Sequence, residues 1–423
     1  MANYKNTYTW KNSLGLDDSD HADAIKRLAS IFEDMREKVT HLANEIGASL
    51  PDFTVHDITH IDSLWEMADV VCGEDYPLNP VEGFILGGAF LLHDVAMSIQ
   101  AYPNGLQDLE ALELWSDTVV QRCYQLGINP PSSFRSADLS SDLRNYTVST
   151  LLRKLHAESA EKIVSKSWRF KADDSQVYLI NDPEIRVSLG KVIGKIAHSH
   201  WWGIDKLEEE FARSIGAPGW CDRSWKIDTL KIACILRAAD ATHIDSRRAP
   251  SFLRTIRKLN HYSDGHWTFQ EKLSTPYLRD ETLYYSSASS FTVEETSAWW
   301  LCVDALKMID KELRQVDALL SDKQMPRFEA KRVFGVESPD RLRSIVATEG
   351  WEPIDANVHI GDIPKIIKTL GGHELYGNNL LVPLRELIQN CSDAIRARRN
   401  LEGRSSDWGK LKSVCKREKI KYI

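Results

Sequence analysis

Imidazole and carboxylate side chains recur together in five short strings of this chain: FTVHDITHID (53–62), LLHDVA (91–96), LHAESA (155–160), IAHSHWW (196–202) and RAADATHID (237–245). Such side chains ligate Zn, Fe, Mn or Ni, and adjacent His93 and Asp94 can aim two ligands at one point. The doublet closes the apolar run GFILGGAFLL, so it should be buried, and a buried carboxylate needs a partner or a metal. Each histidine taken alone is as readily a plain polar residue; the ordered set points to a metal centre. His56 lies four residues before His60, on the same face if that stretch is helical. It could be a ligand, a base beside the metal, or a residue facing solvent. Arg237, Arg247, Arg248, Arg254 and Lys258 gather around Asp240. Guanidinium groups there could clamp phosphates by paired hydrogen bonds; the bland reading is a solvated face or ion pairs to the acidic run at 207–210. His56, Arg247 and Arg248 are the catalytic candidates.

The elements that must position these residues are mostly helical over about the first 320. His21–Leu50 carries Ala24, Ile25, Leu28, Ile31, Phe32, Met35, Val39 and Leu42 at three- and four-residue spacing, an amphipathic helix. The pattern continues at Ile61–Val71, Pro80–Met97, Leu151–Trp168, Pro183–Ala197, Leu207–Ile215, Trp225–Ala241 and Glu294–Leu320. Pro80–Met97 is apolar almost all round and therefore central. Pro103–Asn145 is mixed, with a loop at NPPSS (129–133). The segment 266–288 has two aromatic and β-branched runs about a turn, which predicts a β-hairpin. From Met325 to Gly377 Gly and Pro punctuate the chain, and a new helix runs from Leu380 to about Asn400.

Composition excludes several classes. With 423 residues, 43% hydrophobic and 27% charged, the chain is an ordinary globular one of two to four domains, not disordered or collagen-like. No apolar run suits a membrane span, since Val81–Val95 is broken by Glu82, His93 and Asp94. MANYKNTYTWKNS has no apolar signal core, and the seven scattered cysteines never form CxxC; both fit a reduced cytoplasmic protein. A net charge of −8 argues against a general nucleic-acid coat, though a local basic site is left open.

The order His … His-Asp … His … His … Asp on successive helices resembles the HD superfamily of metal-dependent phosphohydrolases, in its two-metal form, over about residues 20–320. The resemblance implies His60, His93, Asp94, His156, His198 and Asp240 as metal ligands. His198 stands where the family has a His-His pair; here the string is His-Ser-His, so His200 or neither could serve. It further implies one or two divalent ions (Mn, Fe, Ni or Zn), a bound water with its pKa lowered towards roughly 7, and a nucleotide-like small-molecule phosphoester as substrate.

LVPLRELIQNCSDAIRARR (381–399) resembles the first ATP-site motif of the GHKL ATPases, closest to the heat-shock chaperone version. That implies Glu386 orienting water, Asn390 on Mg²⁺, and Asp393 and Ala394 lining the nucleotide pocket. The plain alternative is an amphipathic helix with Leu384, Leu387, Ile388, Cys391 and Ile395 as its stripe. Only 24 residues follow Arg399, without DxGxG, and neither GxGxxG nor GxxxxGK[ST] occurs. ATP hydrolysis by this chain is therefore not expected; Mg-ATP would belong to a longer parent.

The expected fold is mainly α: an HD-type helical bundle with a small β-hairpin insertion, then an incomplete α/β (Bergerat-type) ATPase fragment. The divisions fall at 1–325, a linker at 326–350, and 351–423. The fusion resembles bacterial conflict or anti-phage defence proteins. Two rivals stand beside the hydrolase: a catalytically idle HD sensor module, and a chaperone-like ATPase. No membrane partner is expected, and self-association is left open.

Overall fold

The computed structural model describes residues 3–17, 20–169, 173–257, 259, 261–354, 381–401, 405 and 408–409. They fall into two units, 1–354 and 355–423.

The first unit is built on helices that bury one stripe each. Ala22–Asn44 (α1) buries Ile25, Leu28, Phe32, Met35, Val39 and Ala43, the helical spacing seen in the sequence. Ile58–Cys72 (α2) starts at Asp57, whose carboxylate accepts from Thr59 N at 2.8 Å, and so sets His60 in its first turn. Pro80–Leu92 (α3) begins with a capping box between Asn79 and Glu82, with Pro80 at its first position. All thirteen α3 residues are buried. The stretch Pro80–Met97 is long and apolar enough to cross a membrane, yet it lies wholly inside the protein, as a core helix does. α3 packs against α1 and α2, and then against Gly190–Ser199 and Thr229–Thr242, described next.

Ser141–Ile163 (α4), capped by Ser140, crosses Gly190–Ser199 (α5) closely. A Cβ on Gly194 would come within 2.4 Å of the Glu161 carbonyl, so only glycine allows α5 to lie this near the α4 backbone. Thr229–Thr242 (α6) starts at Asp228, whose N–H donates to Glu82 Oε1 at 2.9 Å. Lys231 Nζ meets Glu82 Oε2 at 2.6 Å and the Pro77 carbonyl at 2.9 Å. This buried pair pins the starts of α3 and α6 together. His261–Lys272 (α7) and Thr296–Asp322 (α8) complete the bundle, α8 packing on α6 and α7.

Short strands decorate the helices. Ser167–Arg169 (β1) pairs antiparallel with Gln176–Tyr178 (β2), and Ile215–Gly216 (β3) with Lys226–Ile227 (β4). Tyr277–Arg279 (β5) and Thr282–Tyr284 (β6) form a hairpin, and Arg332–Val333 (β7) joins β6 in parallel. The hairpin turn is Asp280-Glu281, with φ of 48° and 59°, the pair of left-handed residues a tight two-residue hairpin demands.

Three sequence expectations shift. The hairpin expected over 266–288 is confined to 277–284; its first aromatic run is α7, whose Trp267 and Phe269 are buried. α4 begins at Ser141, not Leu151, and stops at Ile163 ahead of β1. Residues 326–350, expected as a linker, belong to the first unit: β7 pairs with β6, and Phe328, Val333, Leu342 and Val346 are buried.

In the second unit Leu381–Leu401 (α9) is helical, with Leu387, Ile388 and Cys391 exposed. Arg399 donates to the Trp408 carbonyl at 2.6 Å. Apart from Ser405 and Gly409, the remaining residues of 355–423, Cys415 among them, lie outside the described residues.

Candidate metal centre

His93 caps the C-terminus of α3 and Asp94 follows it; both are buried. Around them the bundle gathers His60 from α2, Asp240 from α6, His156 from α4 and His200 from the end of α5. Ligand atoms of His60, His93 and Asp240 lie within 4.8 Å of one another, as do those of Asp94, His156 and His200. His60 Nε2 and His93 Nε2 stand 3.5 and 3.6 Å from Asp240 Oδ1. The two groups meet at Asp94. Its Oδ2 faces His93 Nε2 at 3.2 Å, while its Oδ1 faces His156 Nε2 at 3.6 Å and His200 Nε2 at 3.8 Å.

Hydrogen bonds behind the rings decide which nitrogen is offered. His93 Nδ1 lies 2.9 Å from the Phe90 carbonyl, His156 Nδ1 2.7 Å from that of Arg153, and His200 Nδ1 2.6 Å from that of Ala197. A carbonyl only accepts, so each Nδ1 carries a proton and Nε2 is the nitrogen left to face the carboxylates. All three Nε2 atoms face Asp94, and a ring held through its other nitrogen is how ligating histidines are oriented in metal sites. His60 is held differently: its Nδ1 lies 2.8 Å from Nδ1 of His243 and accepts from Arg248 Nη1 at 2.7 Å. His243 is 1% exposed, its Nε2 has no partner, and the nearest carboxylate oxygen is Asp245 Oδ1 at 3.7 Å. A divalent ion fits this donor set of imidazole nitrogens and buried carboxylates.

Charge follows the same geometry. Burial favours the neutral carboxyl at Asp94 and Asp240, but the His93 imidazole outweighs it and holds both well below the usual carboxylate range. Burial likewise disfavours a charged His93, yet Asp94 and Asp240 raise it well above its ordinary value. Burial lowers His200 to about 4, and burial with the Arg248 guanidinium lowers His56 to about 4.

A family model named HD-CE matches residues 50–315, more than half of the 423. The chain belongs to the HD-CE family. No curated protein and no solved structure matches it.

Within the HD-CE domain the residues named from the sequence divide clearly. His60, His93, Asp94, His156 and Asp240 come together, and His200 stands where His198 was expected. The two are separated by about 200° around a helix, so one register cannot aim both at Asp94. His198 instead bonds Glu161 Oε2 through Nδ1 at 2.7 Å. His56 is at the site, 3.9 Å from Asp94 Oδ2, but its Nδ1 donates to the Thr54 carbonyl and its Nε2 accepts from Arg248 at 2.7 Å. Both nitrogens are thus engaged.

Of the arginines around Asp240 only Arg248 turns inwards. Arg247 is engaged by Asp245 and Glu66, so it orients Asp245 and is not a free phosphate clamp. Arg254 pairs with Asp264 and Glu271. Arg237 pairs with Glu312 and donates to the Ser199, His200 and Trp202 carbonyls, closing the end of α5. Lys258 lies outside the described residues. Arg248 is 8% exposed, and its Nε has no partner. His243 and Asp245 escaped the sequence reading; the repeated string THID, at 59–62 and 242–245, was the available signal. Glu386, Asn390, Asp393 and Ala394 all fall on α9, where Asn390, Asp393 and Ala394 are exposed.

Proposed function

We propose that the HD-CE domain is a two-metal phosphohydrolase acting on a nucleotide or related phosphoester. The observation that carries this reading is the Asp94 carboxylate, with one oxygen towards His93 and the other towards His156 and His200. His60, His93 and Asp240 would hold one ion, His156 and His200 the other, and Asp94 both. When bound, such ions polarise a phosphoryl oxygen and lower the pKa of a water to about 7. The chain's own part is to hold the Nδ1 protons of His93, His156 and His200 on backbone carbonyls, so that Nε2 is the atom offered, and to exclude bulk water from a buried doublet. Arg248 is a buried cation whose Nε is free, suited to bind a phosphate oxygen.

The motif at 381–399 keeps its reading as the first helix of a GHKL-type ATP site, supported by its helical form and exposed Asn390. A place in a conflict or defence system rests on the fusion resemblance alone.

Elemental analysis of protein purified without chelator, with a panel of phosphoesters, tests the hydrolase. The expected result is up to two equivalents of Mn, Fe, Ni or Zn and metal-dependent release of phosphate. Two equivalents of metal with no turnover across the panel would make the domain a binding module instead.

A further inference from the structure

Beside the metal centre a cavity of about 280 Å³ opens between the 52–56 loop, α4 and α7. Phe53, His56, Arg153, Arg248 and Gln270 line it, and through Phe53 and Arg153 it adjoins a second cavity of about 530 Å³. Two buried polar groups on its wall lack partners: Gln270 Oε1, on a residue 7% exposed, and Arg248 Nε. Buried polar atoms are ordinarily hydrogen-bonded, so an unmatched acceptor and an unmatched donor on one wall ask for a ligand. Phe53 adds a half-buried ring set edge-on to His56, with centroids 5.6 Å apart. The Arg153 guanidinium lies over it, 5.1 Å from the centroid, at the exposed rim. Neither Arg153 nor Arg248 is in an ion pair among the described residues.

We infer that this cavity is the subsite for the base of a nucleoside 5′-monophosphate. The inference deepens the phosphohydrolase reading, on which it rests for the phosphate's place beside Arg248 and the metals. A planar heteroaromatic group stacks on the outer face of the Arg153 guanidinium, which the Phe53 ring backs, as bases do on arginine planes. An N–H on its edge donates to Gln270 Oε1, and the phosphate takes the free Arg248 Nε–H. Gln270, Phe53 and Arg153 then set which phosphoester is accepted, while the ligands act on the phosphate of any of them.

The test uses the full chain in two forms. Metal-free protein is titrated by calorimetry with AMP, GMP, CMP, UMP and ribose 5-phosphate. At least one nucleotide is expected to bind ~10-fold or more tightly than ribose 5-phosphate, the order that stacking supplies. Gln270→Leu and Phe53→Ala should each remove most of that margin. Arg153→Ala, at an exposed position that leaves the core intact, should reduce it. Trp201, 64% exposed and edge-on to His156 at 5.1 Å, is the competing platform, and Trp201→Ala should leave the margin unchanged. No preference over ribose 5-phosphate, a preference that survives all three cavity variants, or one lost only in Trp201→Ala would each overturn the inference. Hydrolysis of p-nitrophenyl phosphate by the Mn²⁺-loaded protein judges the phosphohydrolase reading separately, since that substrate has no base. Its absence beside an intact, cavity-dependent preference leaves the subsite standing.

Discussion

His60 and His243 lie nearly coplanar, their ring planes 2° apart and their Nδ1 atoms 2.8 Å from each other. One of these nitrogens must carry the shared proton. Arg248 Nη1 stands 2.7 Å from the same His60 Nδ1 and can only donate, so His60 Nδ1 accepts and the shared proton is on His243. Offering Nε2 to a metal requires that proton to pass to His60 Nδ1, Nε2 to give up its own, and Arg248 to shift. His243 is therefore the partner with which His60 exchanges the proton that decides its tautomer, with Asp245 behind it.

Removing that partner should weaken one half of the centre. His243→Leu is expected to lower affinity at the His60–His93–Asp240 group by roughly 10–100-fold, the usual effect of losing such a partner. Occupancy at the Asp94–His156–His200 group should hold. Chelator competition followed by elemental analysis separates the two, and an equal loss at both groups would show that His243 supports the fold, not the His60 ring.

The string His-Ser-His gives a sharper contrast. His200→Ala should reduce a two-metal preparation to about one equivalent, whereas His198→Ala, which removes a contact to Glu161, should leave the metal content unchanged. Asp94→Ala, touching both groups, should remove most of the metal. Inverted behaviour of the two histidine variants would put His198 back at the centre.

What could be read from the sequence stops at this point. The apolar segment ending in His93-Asp94 announced both a central helix and a buried doublet, because composition alone fixes a helix buried on every side. Choosing His200 over His198 needs the rotation of α5, and that is set by Gly194 lying on the Glu161 carbonyl, a contact between residues 33 apart. α7 was read as a strand because Trp267 and Phe269 are good strand residues; their burial in the bundle overrides that preference. α4 lost its first turns to the same effect in NYTVST (145–150). The arginine cluster could not be sorted, since Glu312 and Glu66, which engage Arg237 and Arg247, come from remote helices.

The Glu82–Lys231 pair should matter for stability. Glu82 is 2% and Lys231 11% exposed at the side chain, so Lys231→Met strands a buried carboxylate. A loss of about 3–5 kcal/mol is expected. Lys162→Met breaks the exposed pair with Glu158 and should change stability by under about 1 kcal/mol. Chemical denaturation of both variants checks the difference, and similar effects would remove the role given to the α3–α6 clasp.

Acid should loosen the metal-free protein before carboxylates titrate. His56 and His200 fold with values of about 4, lowered first by burial, against an ordinary 6.5. Between pH 6.5 and 4 the unfolded chain takes up protons that the folded one refuses, so stability falls as pH falls through that window. His93, raised by Asp94 and Asp240, works in the opposite sense: its contribution is fully present below about 6.5. Thermal melts of metal-free protein from pH 7 to 4.5 should show the decline, and His56→Asn should flatten it. A flat wild-type profile would mean these rings are not buried neutral.

The first and last ligands, His60 and Asp240, are separated by 180 residues, and the four between them come from the end of α3, from α4 and from the end of α5. On a ribosome His60 leaves the exit long before Asp240 is made, so the His60–His93–Asp240 group is incomplete on a nascent chain until α6 has emerged, and the Asp94–His156–His200 group until the end of α5 has. The metal thus cannot nucleate folding as it does in a zinc finger, where ligands are close in sequence. It can only lock a bundle whose long-range contacts have already formed, which makes metal uptake a late checkpoint on the finished fold.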